Sequence, residues 1–202
     1  MAELIAVVGG GVVALALRST TKLIANWVSS RHPIAEYPCA ENGTDDDPAA
    51  VRHAWGSEVA DADATEGRAW AYSFDRPYGR GREHVVYGPY TNDFGRPGHF
   101  RVSFRIAGYG FGPHDRDPMV ILDVLQAPFD QQRNHLVLGQ LRLRGSDLTP
   151  QYKTFSIACY STGVGVYEYR ARVVDRRFSP ERHRIHFDII RVFPRFPLFD
   201  VL

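Results

Sequence analysis

The feature that most constrains this chain is a period of two that begins near Ala69 and holds to Phe193. Within GHFRVSFRIAGY, Phe100, Val102, Phe104 and Ile106 alternate with Arg101, Ser103 and Arg105. Successive side chains of an extended strand point to opposite faces, so this spacing buries one face and leaves the other polar. MVILDVLQ, residues 119–126, reads as a more fully buried strand. Residues 135–145, 152–160, 164–174 and 184–193 repeat the alternation, with GSDLTP, STG and DRRFSPERH as punctuation between them. Short strands joined by turn-rich segments, with no helical pattern intervening, predict an all-β fold, an antiparallel β-sandwich of the jelly-roll type. No internal repeat is evident.

Ahead of this lies LIAVVGGGVVALAL, residues 4–17. Gly9 to Ala14 satisfies the spacing of a dinucleotide-binding glycine loop. Such a loop works only inside a βαβ unit whose second strand ends in an acidic residue. The residues before Glu36 supply no such strand, so that reading is set aside. The segment is shorter than the roughly 20 apolar residues of a full membrane span. With Arg18 and Lys22 snorkelling and residues 23–28 continuing as an amphipathic turn, it reads as an N-terminal hydrophobic helix anchored at a membrane. Arg18, Lys22 and Arg31 flank its C-terminal side, which by the positive-inside rule keeps the domain cytoplasmic. A cleaved signal with Ala14-Leu15-Ala16 at its end, giving a secreted protein, and a helix packed on the domain or a partner remain open. The expected organisation is a helix over 1–28, a linker over 29–34 and the sandwich over 35–202. The Ala/Asp/Glu run 57–66 lacks an apolar stripe, and the stretch from about residue 35 to Ala69 reads as the first strand and loops of the domain.

At 202 residues, with 44% hydrophobic and 23% charged side chains, the chain can bury a real core. Residues 1–100 hold nine basic and thirteen acidic side chains; residues 101–202 hold fifteen and ten. Only Lys22 and Lys153 are lysines, so arginine carries nearly all the positive charge. The near-neutral total argues against nucleic acid as a partner. Cys39 and Cys159 lack CxxC spacing and read as two small buried hydrophobes, with a disulfide open only in an oxidising compartment.

GRAWAYSF, VVYGPYTNDFGRPGHFRVSFRI, VILDVL, YKTFSIACY, VYEYRARVV and RIHFDIIRVF resemble the β-jelly-roll carbohydrate-binding modules, over about residues 35–193. The resemblance implies a carbohydrate ligand. Sugar recognition requires flat aromatic faces for the pyranose rings and polar groups for the hydroxyls. Tyr78, Arg80 and Arg82 in one turn, Tyr90, Asn92, Asp93 and Phe94 in another, and Trp55 are the candidates. The alternative for each aromatic is to cap an end of the sandwich, and Trp70 and Tyr72, inside a strand, are assigned to the core. The resemblance further implies a structural calcium held by Glu41 and Asp188, with Asp45, Asp46 or Asp47 nearby.

The pairs Arg142/Arg144, Arg170/Arg172, Arg182/Arg184 and Arg101/Arg105 each fall on one side of their strand. They suit an anionic ligand, or else form solvated faces paired with Glu168, Asp123 and Asp147. Nothing supplies a catalytic set. His183 and His186 point to opposite faces of a strand, and Gly145-Ser146-Asp147-Leu148 lacks the nucleophile elbow. The expectation is a non-catalytic, membrane-tethered module for neutral or anionic carbohydrate. The alternative is a structural subunit, in a homo-oligomer or with protein partners, whose N-terminal helix packs into the assembly.

Overall fold

The computed structural model of the chain describes residues 32–40, 50–74, 84–127, 135–174 and 178–194. The expected helix and half of the expected linker, residues 29–31, lie outside these residues. Ile34 already belongs to the sheet, its amide donating to the Val192 carbonyl at 2.7 Å. No helix among the described residues is long and apolar enough to cross a membrane.

Two antiparallel sheets pack face to face as a β-sandwich. The first holds β1 (Ala35–Pro38), β3 (Ser57–Ala60), β4 (Arg68–Tyr72), β6 (Gly98–Tyr109), β9 (Lys153–Ser161) and β11 (Arg184–Pro194), in the order β3-β4-β11-β6-β9. β1 shares the β4 edge of β11, since β4 pairs with residues 185–187 and β1 with 189–192, either side of a bulge at Asp188. The second sheet runs β2 (Arg52–His53), β5 (His84–Tyr87), β10 (Val166–Val173), β7 (Pro118–Ala127), β8 (Leu136–Arg144).

The alternation does what extended geometry requires. Val102, Phe104, Ile106, Ile185, Phe187 and Ile190 face Val120, Leu122, Val124, Tyr167, Tyr169 and Ala171 across one buried core. Burying a large apolar side chain contributes about 1.5–3 kcal/mol, and this layer holds the sheets together. Trp70 and Tyr72 belong to it. So do Cys39 and Cys159, both free thiols, that of Cys39 pushed up in pKa by burial. At Gly139 the sheets approach so closely that a Cβ would sit 2.5 Å from Ile157 Cγ2.

The stretch before Ala69, expected to hold the first strand and loops, holds three short strands. Ser57–Ala60 forms β3, an edge paired only with β4. An edge strand lying outside the core needs backbone partners and no apolar stripe, so its sequence carries no alternation.

Candidate functional site

The strand that builds the site is β10. Tyr167, Tyr169, Ala171 and Val173 face the core, which turns Glu168, Arg170 and Arg172 outward. Register then lays out cross-strand rows. Glu168 lies opposite Leu125; Arg170 opposite Asp123, which faces Gln140; Arg172 opposite Ile121, which faces Arg142, with His84 on the other side. An outward sheet face would ordinarily be wet, yet Asp123 is only 1% exposed and Glu168 only 6%. These carboxylates are supplied with partners. Arg170 reaches Asp123 at 3.4 Å and Glu168 at 4.0 Å, and Gln140 Nε2 donates to Asp123 Oδ1 at 2.7 Å. Burial raises the Glu168 pKa, against the charge of Arg170 and the hydrogen bond from Tyr90.

Aromatic rings border this polar centre. The Tyr90 hydroxyl donates to Glu168 Oε1 at 3.3 Å, and the Arg52 guanidinium lies 5.4 Å from the Tyr90 ring centre. Burial and the Glu168 charge push the Tyr90 pKa up to about 12, so it is a neutral hydroxyl at physiological pH. The Tyr87 and His84 rings are 6.4 Å apart on the same strand. Tyrosine faces, carboxylate acceptors and guanidinium donors thus share one sheet surface, the inventory needed to hold a polyhydroxylated ring.

The expected ligand residues separate. Tyr90 joins this face. Phe94 is corrected to the core: it is 2% exposed, its ring 4.1 Å edge-on to Tyr167 and 4.2 Å from Phe100, because the turn folds it inward beneath the sheets. Asp93 accepts hydrogen bonds from the hydroxyls of Tyr37 and of Tyr169, the latter at 2.6 Å, and so ties its loop to both sheets. Asn92 is exposed and closes its own turn, Oδ1 accepting from Gly95 N at 3.2 Å. Trp55 packs partly buried against the core, and its carbonyl accepts from Trp70 Nε1 at 2.7 Å. Tyr78, Arg80 and Arg82 lie outside the described residues.

Asp188 sits on the other sheet, 2% exposed. Its Oδ1 accepts from Thr65 N at 2.9 Å, and its Oδ2 from the Thr65 hydroxyl at 2.8 Å and from the Arg105 guanidinium. A calcium ion wants six to eight oxygens. Here the carboxylate is saturated with donors and neutralised by a cation, so the described surroundings of Asp188 do not fit calcium. Glu41 and Asp45 to Asp47 lie outside the described residues, and among those described no cluster of three or more His, Cys, Asp or Glu could hold a metal. On the same face Asp61 accepts from Tyr152 and meets His186 Nδ1, each at 2.7 Å; burial raises its pKa, but these two contacts outweigh it and the net shift is downward. A groove of about 570 Å³ opens beside His186, floored by Ser57, Ala71 and Ser73.

The arginine pairs keep to one side of each strand but divide between the sheets, Arg101/Arg105 on the first and Arg142/Arg144 and Arg170/Arg172 on the second. Arg182 precedes β11, where Arg184 begins the strand. Sequence reasoning assigned Glu168 and Asp123 only as counter-charges and gave Tyr87 no role. The signal for Glu168 and Asp123 was their place between inward residues on β10 and β7; Tyr87 follows Val85 and Val86, both in the core, so alternation did not mark it.

No protein-family model and no curated protein sequence matches the chain. By structure it is similar to the N-terminal CBM22-1-CBM22-2 tandem domain of Paenibacillus barcinonensis Xyn10C, with TM-score 0.51 and 12% identity, over 81% of this chain and 49% of that one. It is also similar to the CBM22-1-GH10 modules of the Clostridium thermocellum xylanase 10B in complex with xylohexaose (TM-score 0.49, 10% identity, 82% of this chain, 29% of that one). A family 35 carbohydrate binding module from Clostridium thermocellum gives TM-score 0.45 and 15% identity, over 79% and 98%. The chain therefore spans less than a third of the xylanase chain and about half of the tandem. At such identities the likeness is one of fold, and the fold is that of a carbohydrate-binding-module-like β-sandwich.

Proposed function

We propose that this chain is a non-catalytic carbohydrate-binding module whose ligand lies on the outward face of the five-stranded sheet. The observation that carries the reading is the buried Glu168–Arg170–Asp123 group on that face, bordered by Tyr90. Ion-paired carboxylates and guanidinium groups held by their neighbours are fixed donors and acceptors, ready for hydroxyls without reorganisation. The sandwich likeness supports the same reading. Titration calorimetry against a panel of neutral and acidic oligosaccharides tests it. Binding is expected in the micromolar to millimolar range (roughly −4 to −8 kcal/mol) and is abolished in Tyr90→Ala. No heat with any oligosaccharide at millimolar concentration overturns it.

Residues 4–17 with Arg18 and Lys22 support a membrane tether that leaves the module on the cytoplasmic side. Fractionation of the full chain beside one starting at Ile34 tests this, since only the former should pellet with membranes. A second reading, a protein-contact subunit, draws on Leu136, Val137 and Val164, each at least 50% exposed at one end of the sandwich. It predicts a stable oligomer that Val137→Asp dissolves.

A further inference from the structure

The outward face of the five-stranded sheet is graded along its strands. In the Arg170 row Asp123 accepts from both the Arg170 guanidinium and Gln140, so its charge is answered, although Arg170 Nε is itself buried without a partner. Two residues further along, the centre of the row is Ile121, where an acid stood before, and it is flanked by Arg172 and Arg142. Neither arginine meets a carboxylate among the described residues; Arg142 Nε reaches only Gln140 Oε1, at 3.3 Å. Arg172 Nε, like Arg170 Nε, is buried and has no hydrogen-bond partner, but Arg172 has no carboxylate across the row to answer its charge. A buried donor left without an acceptor is costly, and its retention is explained by an acceptor that arrives from outside. Arg172 and Arg142 stand two strands apart, about 10 Å between backbones. Side chains of that length can both lean over Ile121 and converge on one group.

We propose that this face takes an acidic oligosaccharide, its carboxylate held over Ile121 by Arg172 and Arg142, and its neutral sugar units lying over the Arg170 and Glu168 rows toward Tyr90. The proposal rests on the carbohydrate reading above and names the ligand class. From Arg172 to Glu168 is four residues of strand, about 13 Å, which gives a short oligosaccharide a direction. A planar carboxylate matches the guanidinium fork in two parallel hydrogen bonds, which a tetrahedral sulfate ester matches less well. Asp123 and Glu168 on the same face oppose a polyanion such as nucleic acid.

Titration of the full chain with an oligosaccharide of neutral units carrying a single terminal uronic acid, its methyl ester and a singly sulfated oligosaccharide of equal length tests this. Charge-assisted bonds of about 1.5–3 kcal/mol predict the acid binding at least about tenfold tighter than the ester. Arg172→Gln and Arg142→Gln each bring the acid down toward the affinity of the ester. Arg142 is exposed, so its variant melts with the parent and reports binding alone. Raising salt weakens the acid and leaves the ester unchanged. Equal affinity for acid and ester overturns the proposal and leaves the carbohydrate reading standing, as does preference for the sulfated ligand. Absence of binding by all three overturns the proposal, and extending that absence to the neutral panel overturns the carbohydrate reading with it.

Discussion

Phe94→Ala separates the two roles that a loop aromatic can have. Phe94 is 2% exposed, and its ring contacts Phe100 and Tyr167 at 4.2 and 4.1 Å, with Tyr169 at 6.4 Å. Truncating a buried Phe to Ala costs about 3–5 kcal/mol in lost transfer energy and cavity. Aromatic pairs add about 0.5–1.5 kcal/mol beyond area, which places this site in the upper part of that range. For a domain of this size each kcal/mol moves the midpoint by about 2–4 °C, so the melting temperature should fall by about 6–20 °C. Tyr90→Ala is the counterpart. It removes a half-buried ring, one hydrogen bond and one cation–π contact, about 1–2 kcal/mol, and should cost binding far more than stability. Differential scanning fluorimetry and calorimetric titration of both variants read the difference. If Phe94→Ala melts within about 3 °C of the parent while losing oligosaccharide, the ring acts on ligand and the core assignment is wrong.

His53, stacked 3.7 Å from Trp70 and bonded to the Cys39 carbonyl at 2.6 Å, is held neutral, its pKa lowered from 6.5 to about 4 by burial against the pull of that carbonyl. The unfolded chain takes the proton first as pH falls, so up to about 3 kcal/mol of stability should disappear between pH 6.5 and about 4. Urea denaturation across that range checks it; His53→Gln should flatten the profile, and a flat profile in the parent refutes the assignment. Asp188→Asn strips charge-assisted partners from Thr65 and Arg105. It should cost near the low end of about 3–5 kcal/mol, because Arg105 is 27% exposed and can turn to water. The same change should leave oligosaccharide affinity intact, and a parental melting temperature would show the carboxylate idle.

The long strands were legible because each carries its own evidence. GHFRVSFRIAGY coincides with β6, and RIHFDIIRVF falls within β11. Period two is a local property, and any strand with one face on a core displays it. β3 was not legible, since its pairing with β4 draws on ladder bonds and an exposed Arg68–Glu58 pair, neither of which needs an apolar alternation. Phe94 could not be placed either. A phenylalanine in a turn faces water or core according to what lies beneath it, and here that is Tyr167, 73 residues on in the chain. The same limit applies to Arg170. Alternation sends it outward, but whether it meets water or a carboxylate depends on Asp123 sitting opposite across β7, which register alone decides.

The three buried acids among the described residues, Asp123, Glu168 and Asp188, carry the functional argument further than the arginines do. Asp188 spends its oxygens on Thr65 and Arg105 and so fastens the 61–67 turn to the sheet. Asp93, half-buried, does the same for its own loop through two tyrosines. Such carboxylates have a structural return for their desolvation. Asp123 fastens no turn: its partners, Gln140 and Arg170, stand on neighbouring strands already held by ladder bonds. Glu168 meets Arg170 of its own strand and adds the Tyr90 hydroxyl. Buried ion pairs add little net stability over apolar packing of the same volume, so a sheet needing only to be stable would carry Leu or Val at these positions. On the proposed function, their presence on an outward face, beside a row whose arginines meet no carboxylate among the described residues, is accounted for by a polar ligand that completes the set.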